Sequence, residues 1–192
     1  MKTKIIAIIL TLTVLTTLFA ACGKEDAPDT GNISSSHETE AFFSSFETET
    51  LDGETVSDEI LKGNKVTMVN IWGTFCSPCI NEMPSLQKLS ESYEDKGVRV
   101  IGIICDTFDR YSEANIPEKV QDAKNIVKQT GVKYTNLLPS LSLNEVKLDS
   151  VYSVPTTYFL NEKGEIIGSE VVGSRSYEQW SALLDSILES LQ

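Results

Sequence analysis

The chain has 192 residues, with 28 acidic and 16 basic side chains and a formal net charge of −12 at pH 7. Because its basic residues form no stripe, this charge argues against a nucleic acid partner and against direct attraction to anionic lipid. The chain is long enough for one ordinary domain with a hydrophobic core, and it contains no internal repeat.

The N-terminus has the features of an export signal. Two lysines precede an apolar run over residues 5–21, and Cys22 follows two alanines. The run is short for a membrane span, which needs roughly 20 apolar residues. A cysteine after two small residues resembles a bacterial lipoprotein signal, although Phe19 stands where that motif usually has leucine. We predict a signal peptide over residues 1–21 and lipid attachment at Cys22, with an uncleaved anchor helix or an ordinary signal peptide as alternatives.

A tether and a hairpin are predicted next. Residues 22–41 are rich in serine, threonine, glycine and acidic side chains, a composition typical of a flexible, self-repelling linker. Residues 42–192 are then left for the folded domain. Short β-like segments in residues 42–57 surround the turn sequence Leu51-Asp-Gly53, which predicts an N-terminal hairpin.

Two cysteines lie where a predicted strand meets a predicted helix. The apolar run Val66–Trp72 indicates a buried strand, and residues 76–95 have helical spacing of apolar side chains. Cys76 and Cys79 flank a Ser-Pro dipeptide at the start of that helix. Unpaired N–H groups and the helix dipole there lower a thiol pKa. The second cysteine is one turn away, close enough to attack a mixed disulfide.

Other functions for the cysteine pair are less favoured. A structural zinc site needs four ligands, and the single histidine, His37, lies in a polar N-terminal stretch. A purely structural disulfide across so small a loop would remove little entropy from the unfolded chain. We therefore predict a redox pair that needs no metal and no organic cofactor.

The remainder of the chain predicts alternating strands and helices. We expect strands over residues 98–105 and 134–138, a helix over Pro117–Thr130 closed by Gly131, a hairpin of residues 154–160 and 165–172, and a last helix that begins at a capping box of Ser176 and Gln179. The apolar face of the last helix consists of Trp180, Leu183, Leu184, Ile187, Leu188 and Leu191. This order predicts an α/β fold with a mixed central sheet flanked by helices.

Three motifs together resemble the thioredoxin superfamily, and within it the membrane-tethered TlpA/ResA-like thiol–disulfide oxidoreductases. They are Asn70-Ile-Trp-Gly-Thr-Phe-Cys-Ser-Pro-Cys79, Glu82-Met-Pro84 and Val154-Pro155-Thr156. The resemblance covers about residues 42–192. It implies a thioredoxin-like fold with an N-terminal hairpin and with an extra helix and strand inserted between Cys76 and Pro155.

The resemblance also implies roles for individual residues. Cys76 would be the exposed nucleophile and Cys79 the buried resolving thiol, with Pro78 between them helping to set the redox potential. Pro155 matches a cis-proline that faces the disulfide and leaves the backbone of Val154 free to pair with a substrate strand. The alternative for Pro155 is an ordinary proline at the start of a strand.

An acid and two aromatic residues are further candidates near the pair. The resemblance implies that Glu82 is partly buried and tunes the titration of the cysteines, because a nearby carboxylate raises a thiol pKa and a protonated carboxyl relays a proton. Asn70 stands where thioredoxin has a buried aspartate, which leaves Glu82 for that task. The alternative is a solvated helix acid. We expect Trp72 and Phe75 to wall the site and contact substrate, with plain core packing as the alternative.

Cys105 ends a predicted strand at the same sheet edge as Cys76. It is either a third redox thiol or, as we prefer, a small buried hydrophobe.

The predicted function is dithiol–disulfide exchange on the extracytoplasmic face of a bacterial membrane. Reduced Cys76 would attack a disulfide in an exported partner, and Cys79 would release the product. The resemblance implies a CcdA/DsbD-like membrane electron donor, since exported compartments lack the cytosolic reducing pool. It also suggests apocytochrome c, an exported methionine sulfoxide reductase or other oxidised lipoproteins as substrates.

Three alternatives stay open. The same fold could install disulfides instead of reducing them. A peroxiredoxin-like peroxidase would need a threonine and an arginine around one reactive cysteine, and no arginine lies near Cys76 in sequence. A non-enzymatic binding lipoprotein would not need the intact pair of Cys76 and Cys79.

Overall fold

The structure, a computed structural model, describes residues 42–192. The first secondary structure in this range is a short antiparallel hairpin. Strands β1 (Glu47–Glu49) and β2 (Thr55–Ser57) pair around a turn in which Gly53 has a φ of +93°. The predicted hairpin is confirmed. The predicted signal peptide, the lipid attachment at Cys22 and the tether fall on residues outside those that the structure describes.

The central strand and the helix that follows it form as the hydrophobic pattern predicts. Every side chain of β3 (Val66–Trp72) is buried, and helix α1 (Ser77–Tyr93) has Cys76 as its N-cap. The helix buries one face, made of Cys79, Glu82, Met83, Leu86, Leu89 and Tyr93. A single 3₁₀ turn, Glu94–Lys96, then leads into the next strand.

The middle of the chain contains the predicted strand and helix and one unpredicted hairpin. Strand β4 (Val98–Ile104) runs parallel to β3, and β5 (Phe108–Asp109) pairs with β6 (Ala114–Asn115) beyond its end. Helix α2 (Pro117–Thr130) begins at a proline. It ends at Gly131, whose φ of +74° allows its N–H to bond the carbonyl of Val127. The predicted bounds of this helix are confirmed.

The last third completes the sheet and covers it. It contains β7 (Asn136–Leu137), the short helix α3 (Leu141–Val146), β8 (Thr156–Leu160), β9 (Val171–Val172) and α4 (Tyr177–Ser190). The capping box of Ser176 and Gln179 is confirmed at the start of α4.

Two details of this region correct the sequence prediction. The second arm of the hairpin is not one strand over residues 165–172, because Gly168 has a φ of +70° and interrupts the extended backbone. Only β9 and an isolated bridge between Leu160 and Ile166 remain of it. Leu191 lies beyond the end of α4 and is 48% exposed, so it is not part of the buried helical face.

The five-stranded sheet has the order β7-β4-β3-β8-β9. Strand β3 is parallel to β4 and antiparallel to β8, so the predicted mixed sheet is confirmed, as is the inserted helix and strand, α2 and β7. One core cluster joins β3 to α1 and α4, and a second packs the other side of β3 against the N-terminal segment and α3. Both faces of the sheet are thus covered, and the ends of β3 and β4 lie side by side at one edge.

Candidate active site

Cys76 and Cys79 lie at the N-terminus of α1 and are joined by a disulfide. The backbone N–H of Cys79 points at Sγ of Cys76 across 3.2 Å. In the dithiol form the same N–H can donate to a Cys76 thiolate, with the partial positive charge of the helix terminus behind it. The local fold therefore favours ionisation of the first cysteine of the pair.

The two sulfur-bearing residues differ in access. Cys76 is 6% exposed and Cys79 is 1% exposed, so the predicted exposure of Cys76 is wrong, although it remains the more accessible of the two. Their neighbours Phe75 and Pro78 are both exposed, so a partner protein can approach from the side of Cys76. This asymmetry fits Cys76 as the attacking sulfur and Cys79 as the sulfur that acts from within.

The loop before β8 brings a cis-proline to the disulfide. The peptide bond from Val154 to Pro155 is cis, which confirms the predicted isomer. Sγ of Cys76 lies 3.6 Å from the carbonyl oxygen of Val154. In the disulfide this sulfur carries no hydrogen, so the approach is a contact that becomes a hydrogen bond only when Cys76 is a thiol. The N–H of Gly173 donates to the carbonyl of Pro155 at 2.9 Å and ties this loop to the segment after β9.

Glu82 is a buried carboxylate with three donors around it. It is 3% exposed, which excludes the solvated-acid alternative. Its Oε1 accepts from Nδ2 of Asn70 at 3.2 Å, and its Oε2 accepts from the backbone N–H of Arg175 at 3.0 Å and from Nε1 of Trp180 at 3.3 Å. Burial raises the pKa of Glu82 above its ordinary value, while the three donors and the charge of Arg175 limit the rise.

Asn70 lies in the middle of β3 and connects this carboxylate to the sheet. Its Nδ2 also donates to Oγ1 of Thr157 on β8 at 3.0 Å, while its Oδ1 has no hydrogen-bond partner among the described residues. Sequence reasoning had brought Asn70 and Glu82 together. It missed Arg175 and Trp180, which are 93 and 98 residues further along the chain and leave no local signal.

The two aromatic candidates take opposite positions. Trp72 is 0% exposed, and its Nε1 donates to Oδ1 of Asn136 at 2.9 Å. It therefore packs in the core, and the expectation that it contacts substrate is corrected, because a side chain without exposed surface cannot touch a partner. Phe75 is 70% exposed and its ring folds over Gly73, where an added Cβ would be 2.6 Å from a ring carbon. Phe75 remains a candidate contact residue.

Cys105 follows β4, and its N–H donates to the carbonyl of Trp72 at 2.9 Å. The side chain is partly buried against the second core cluster. Burial and the neighbouring charge of Asp106 raise the pKa of Cys105 to about 11. At neutral pH the group is a protonated thiol, which favours the packing interpretation over a third redox centre.

Comparisons with known proteins show the family to which this chain belongs. The profile of the AhpC/TSA family matches residues 40–169. The chain belongs to the AhpC/TSA family. Among members with curated names, thiol-disulfide oxidoreductase ResA of Bacillus cereus is 31% identical over 140 residues, which is 71% of each chain. ResA of Halalkalibacterium halodurans is 33% identical over 122 residues, and the match spans 64% of this chain and 62% of that relative.

Two solved structures have a fold similar to that of this chain. StoA from Bacillus subtilis superposes with a TM-score of 0.54 at 26% identity, covering 72% of this chain and 95% of StoA. A thiol:disulfide interchange protein from Chlorobium tepidum gives a TM-score of 0.60 at 24% identity, covering 74% and 92%. The chain thus has a thioredoxin-like fold and is similar to relatives named thiol-disulfide oxidoreductase.

Residues 42–192 contain neither a candidate metal-binding group nor a candidate membrane-spanning helix. In this range no group of three His, Cys, Asp or Glu side chains is arranged to hold a metal ion. No helix of the same residues combines the length and the hydrophobicity that crossing a membrane requires.

Proposed function

We propose that this chain reduces disulfides in exported partner proteins by dithiol–disulfide exchange at Cys76 and Cys79. The observation that carries the proposal is the disulfide between these residues at the N-terminus of α1, with Sγ of Cys76 against the carbonyl of Val154. The names of the curated relatives support the same reaction class.

The exchange transfers two electrons and breaks one disulfide for each one formed. The Cys76 thiolate attacks a sulfur of the partner's disulfide, and the partner's other sulfur leaves and takes a proton. Sγ of Cys79 then attacks Sγ of Cys76 in the mixed disulfide, and the partner departs as a dithiol while the Cys76–Cys79 disulfide forms. The N–H of Cys79 stabilises the thiolate at the start of this sequence.

Glu82 has the role of proton acceptor for Cys79 in this scheme. It lies one helical turn after Cys79 on the buried face of α1. A carboxylate whose pKa is raised by burial is a stronger base than an ordinary one, and so is better matched to a thiol. The three donors around it keep the ionised form accessible.

The partner would dock beside the disulfide. The backbone of Val154 offers a place for a substrate segment to pair as an added strand. The exposed side chains of Phe75 and Pro78 border the same site. Pro155 shapes the loop that presents Val154, and its carbonyl is held by the N–H of Gly173.

Location and electron supply complete the proposal. Lipid attachment at Cys22 would hold the protein on the extracytoplasmic face of the bacterial membrane, since the first 22 residues have the pattern of a lipoprotein signal. A CcdA/DsbD-like membrane protein would return the pair to the dithiol state, because exported compartments lack the cytosolic reducing pool. The candidate substrates are cysteines of apocytochrome c, an exported methionine sulfoxide reductase and other oxidised lipoproteins.

Replacing the cysteines one at a time tests the reaction. The full chain in detergent is assayed for reduction of insulin disulfides, with Cys76→Ser, Cys79→Ala and, as a matched control, Cys105→Ser. We expect Cys76→Ser to be inactive, Cys79→Ala to accumulate a mixed disulfide on a non-reducing gel, and Cys105→Ser to keep wild-type activity. Activity in Cys76→Ser, or no mixed disulfide with Cys79→Ala, would contradict the proposal.

A further inference from the structure

The loop that carries Cys76 is held by a carboxylate from the segment that follows β4. Thr74 lies two residues before Cys76, and both of its polar hydrogens bond Asp106. The backbone N–H of Thr74 donates to Oδ1 of Asp106 at 3.0 Å, and its hydroxyl donates to Oδ2 at 2.6 Å. Hydrogen bonds to an ionised acceptor are roughly twice as strong as neutral ones. This pair of bonds fixes one residue of the loop at two points.

Asp106 is itself held in place. Its side chain is 11% exposed, and Nζ of Lys119 lies 3.7 Å from its Oδ2. The same Nζ donates to the backbone carbonyl of Asp106 at 2.7 Å. Lys119 belongs to α2, so the inserted helix helps to fix Asp106, which in turn binds Thr74 in the loop before Cys76.

The position of Asp106 follows from the sheet. Strands β3 and β4 are parallel, and Trp72 pairs with Ile104 at their ends. The segments that leave the two strands therefore start side by side, one leading to Thr74 and the other to Asp106. The bond from the N–H of Cys105 to the carbonyl of Trp72 continues the pairing one residue further.

We propose that Asp106 is a positioning residue for the exchange reaction, acting through Thr74 to hold the Cys76 loop in the geometry of the disulfide form. The inference rests on the proposed exchange at Cys76 and Cys79. Oxidation of the pair forms the bond between the two sulfurs and passes two electrons and two protons to the partner's disulfide. If the loop is already ordered in the dithiol form, less conformational entropy is lost when this bond closes.

Holding the loop therefore shifts the equilibrium toward the disulfide and makes the protein a stronger reductant. Without Asp106 the dithiol form gains freedom that the disulfide form lacks. The equilibrium constant for reduction by glutathione then rises, and the reduction potential becomes less negative. A tenfold rise corresponds to about 30 mV for a two-electron couple.

The test is equilibration of the full chain in detergent with mixtures of reduced and oxidised glutathione. We expect Asp106→Ala to raise the equilibrium constant for reduction of the pair about tenfold, which is about 30 mV. Thr74→Val keeps the branched shape and loses the hydroxyl, so it should shift the constant in the same direction by less. Thr74→Ser keeps the hydroxyl and should match the wild type.

A matched control distinguishes loss of the two bonds between Thr74 and Asp106 from the general loss of a carboxylate. Within residues 42–192 the carboxylate of Asp109 accepts from the N–H of Tyr111 and the hydroxyl of Ser112, both in its own hairpin, so Asp109→Ala should leave the equilibrium unchanged. Thr74→Val carries the test if Asp106→Ala fails to fold. Unchanged glutathione equilibria in folded Asp106→Ala or Thr74→Val, with only a lower melting temperature, would overturn the inference. This outcome differs from failure of the proposed function, which would appear as an inactive wild type.

Discussion

The indole Nε1–H of Trp180 donates to the carboxylate of Glu82 across 3.3 Å, joining the last helix to the helix that begins at the redox pair. Trp180 is fully buried, and the guanidinium of Arg175 lies 5.3 Å from the centre of its ring. Two of the hydrogen-bond donors to Glu82, Asn70 and Trp180, therefore lie inside the core. The proton affinity of this carboxylate depends on residues far from it in sequence.

Replacing Trp180 with phenylalanine removes one of these donors. Because the lost hydrogen bond favours the ionised form, we expect Trp180→Phe to raise the pKa of Glu82 further. The free energy of unfolding should fall by about 2 kcal/mol, the usual range for a hydrogen bond to a charged group. Infrared titration of the buried carboxyl measures the first effect, and denaturant unfolding measures the second.

Trp72→Phe is the matched control for this substitution. It also removes a buried indole donor, which bonds Asn136 at 2.9 Å and not Glu82. The control should lose stability without moving the pKa of Glu82. Equal pKa shifts in both variants would show that the bond from Trp180 has no particular effect on this carboxyl.

The pH dependence of stability provides a second test of Glu82. Since burial raises its pKa above the ordinary value of 4.5, the unfolded chain releases this proton at lower pH than the folded chain. The free energy of unfolding therefore falls as pH rises from about 4.5 through the folded-state pKa. Glu82→Gln removes this titration, so the variant should gain stability relative to wild type as pH rises from about 4.5 through the folded-state pKa of Glu82.

Urea unfolding at several pH values measures that difference. Glu118→Gln, which removes an exposed carboxylate on α2, is the control for the general loss of one acidic side chain. If the difference between Glu82→Gln and wild type stays constant across this range, the carboxyl does not titrate as a buried acid.

Phe75 is the aromatic residue through which substrate contact is most directly tested. Its side chain is 70% exposed, so Phe75→Ala should change the free energy of unfolding by no more than about 0.5 kcal/mol. We expect kcat/KM for a disulfide-bearing protein to fall roughly threefold to tenfold, which is about 0.7 to 1.4 kcal/mol of lost binding. Equilibration with glutathione should be unaffected.

Tyr111→Ala is the comparison for this variant. Tyr111 is a fully exposed aromatic residue in the hairpin of β5 and β6. Its loss should leave kcat/KM for the protein substrate near the wild-type value. A Phe75→Ala enzyme with unchanged kcat/KM would remove Phe75 from the docking surface.

Much of the fold could be predicted because its signals are local. Gly131 ends α2 where only a residue tolerant of positive φ fits well, and Ser176 with Gln179 starts α4 by reciprocal hydrogen bonds. The alternation of buried strands with amphipathic helices then indicated the layers of the sheet. Cys76 and Cys79 could be predicted as a redox pair because thiol chemistry is tied to residue type and spacing, whereas Pro155 became a candidate only through the family resemblance.

What the sequence did not predict depends on contacts between distant segments. Helix α3 has six residues and is capped by Ser140, whose hydroxyl also donates to the carbonyl of Glu47 in β1. Two further contacts likewise form only when the sheet is assembled. They are the bond from Arg175 to Glu82 and the bond from Thr74 to Asp106. The sequence alone could not predict that Phe75 is exposed and Trp72 is buried, since both are aromatic residues close to the cysteines.

The reduction potential of the Cys76/Cys79 pair tests the central claim most directly. It is measured by equilibrating the full chain in detergent with glutathione or dithiothreitol buffers and counting free thiols at each ratio. A protein that reduces exported disulfides with electrons from a membrane donor should have a potential below about −220 mV. A value near about −120 mV would contradict the account and identify a disulfide-forming oxidant instead.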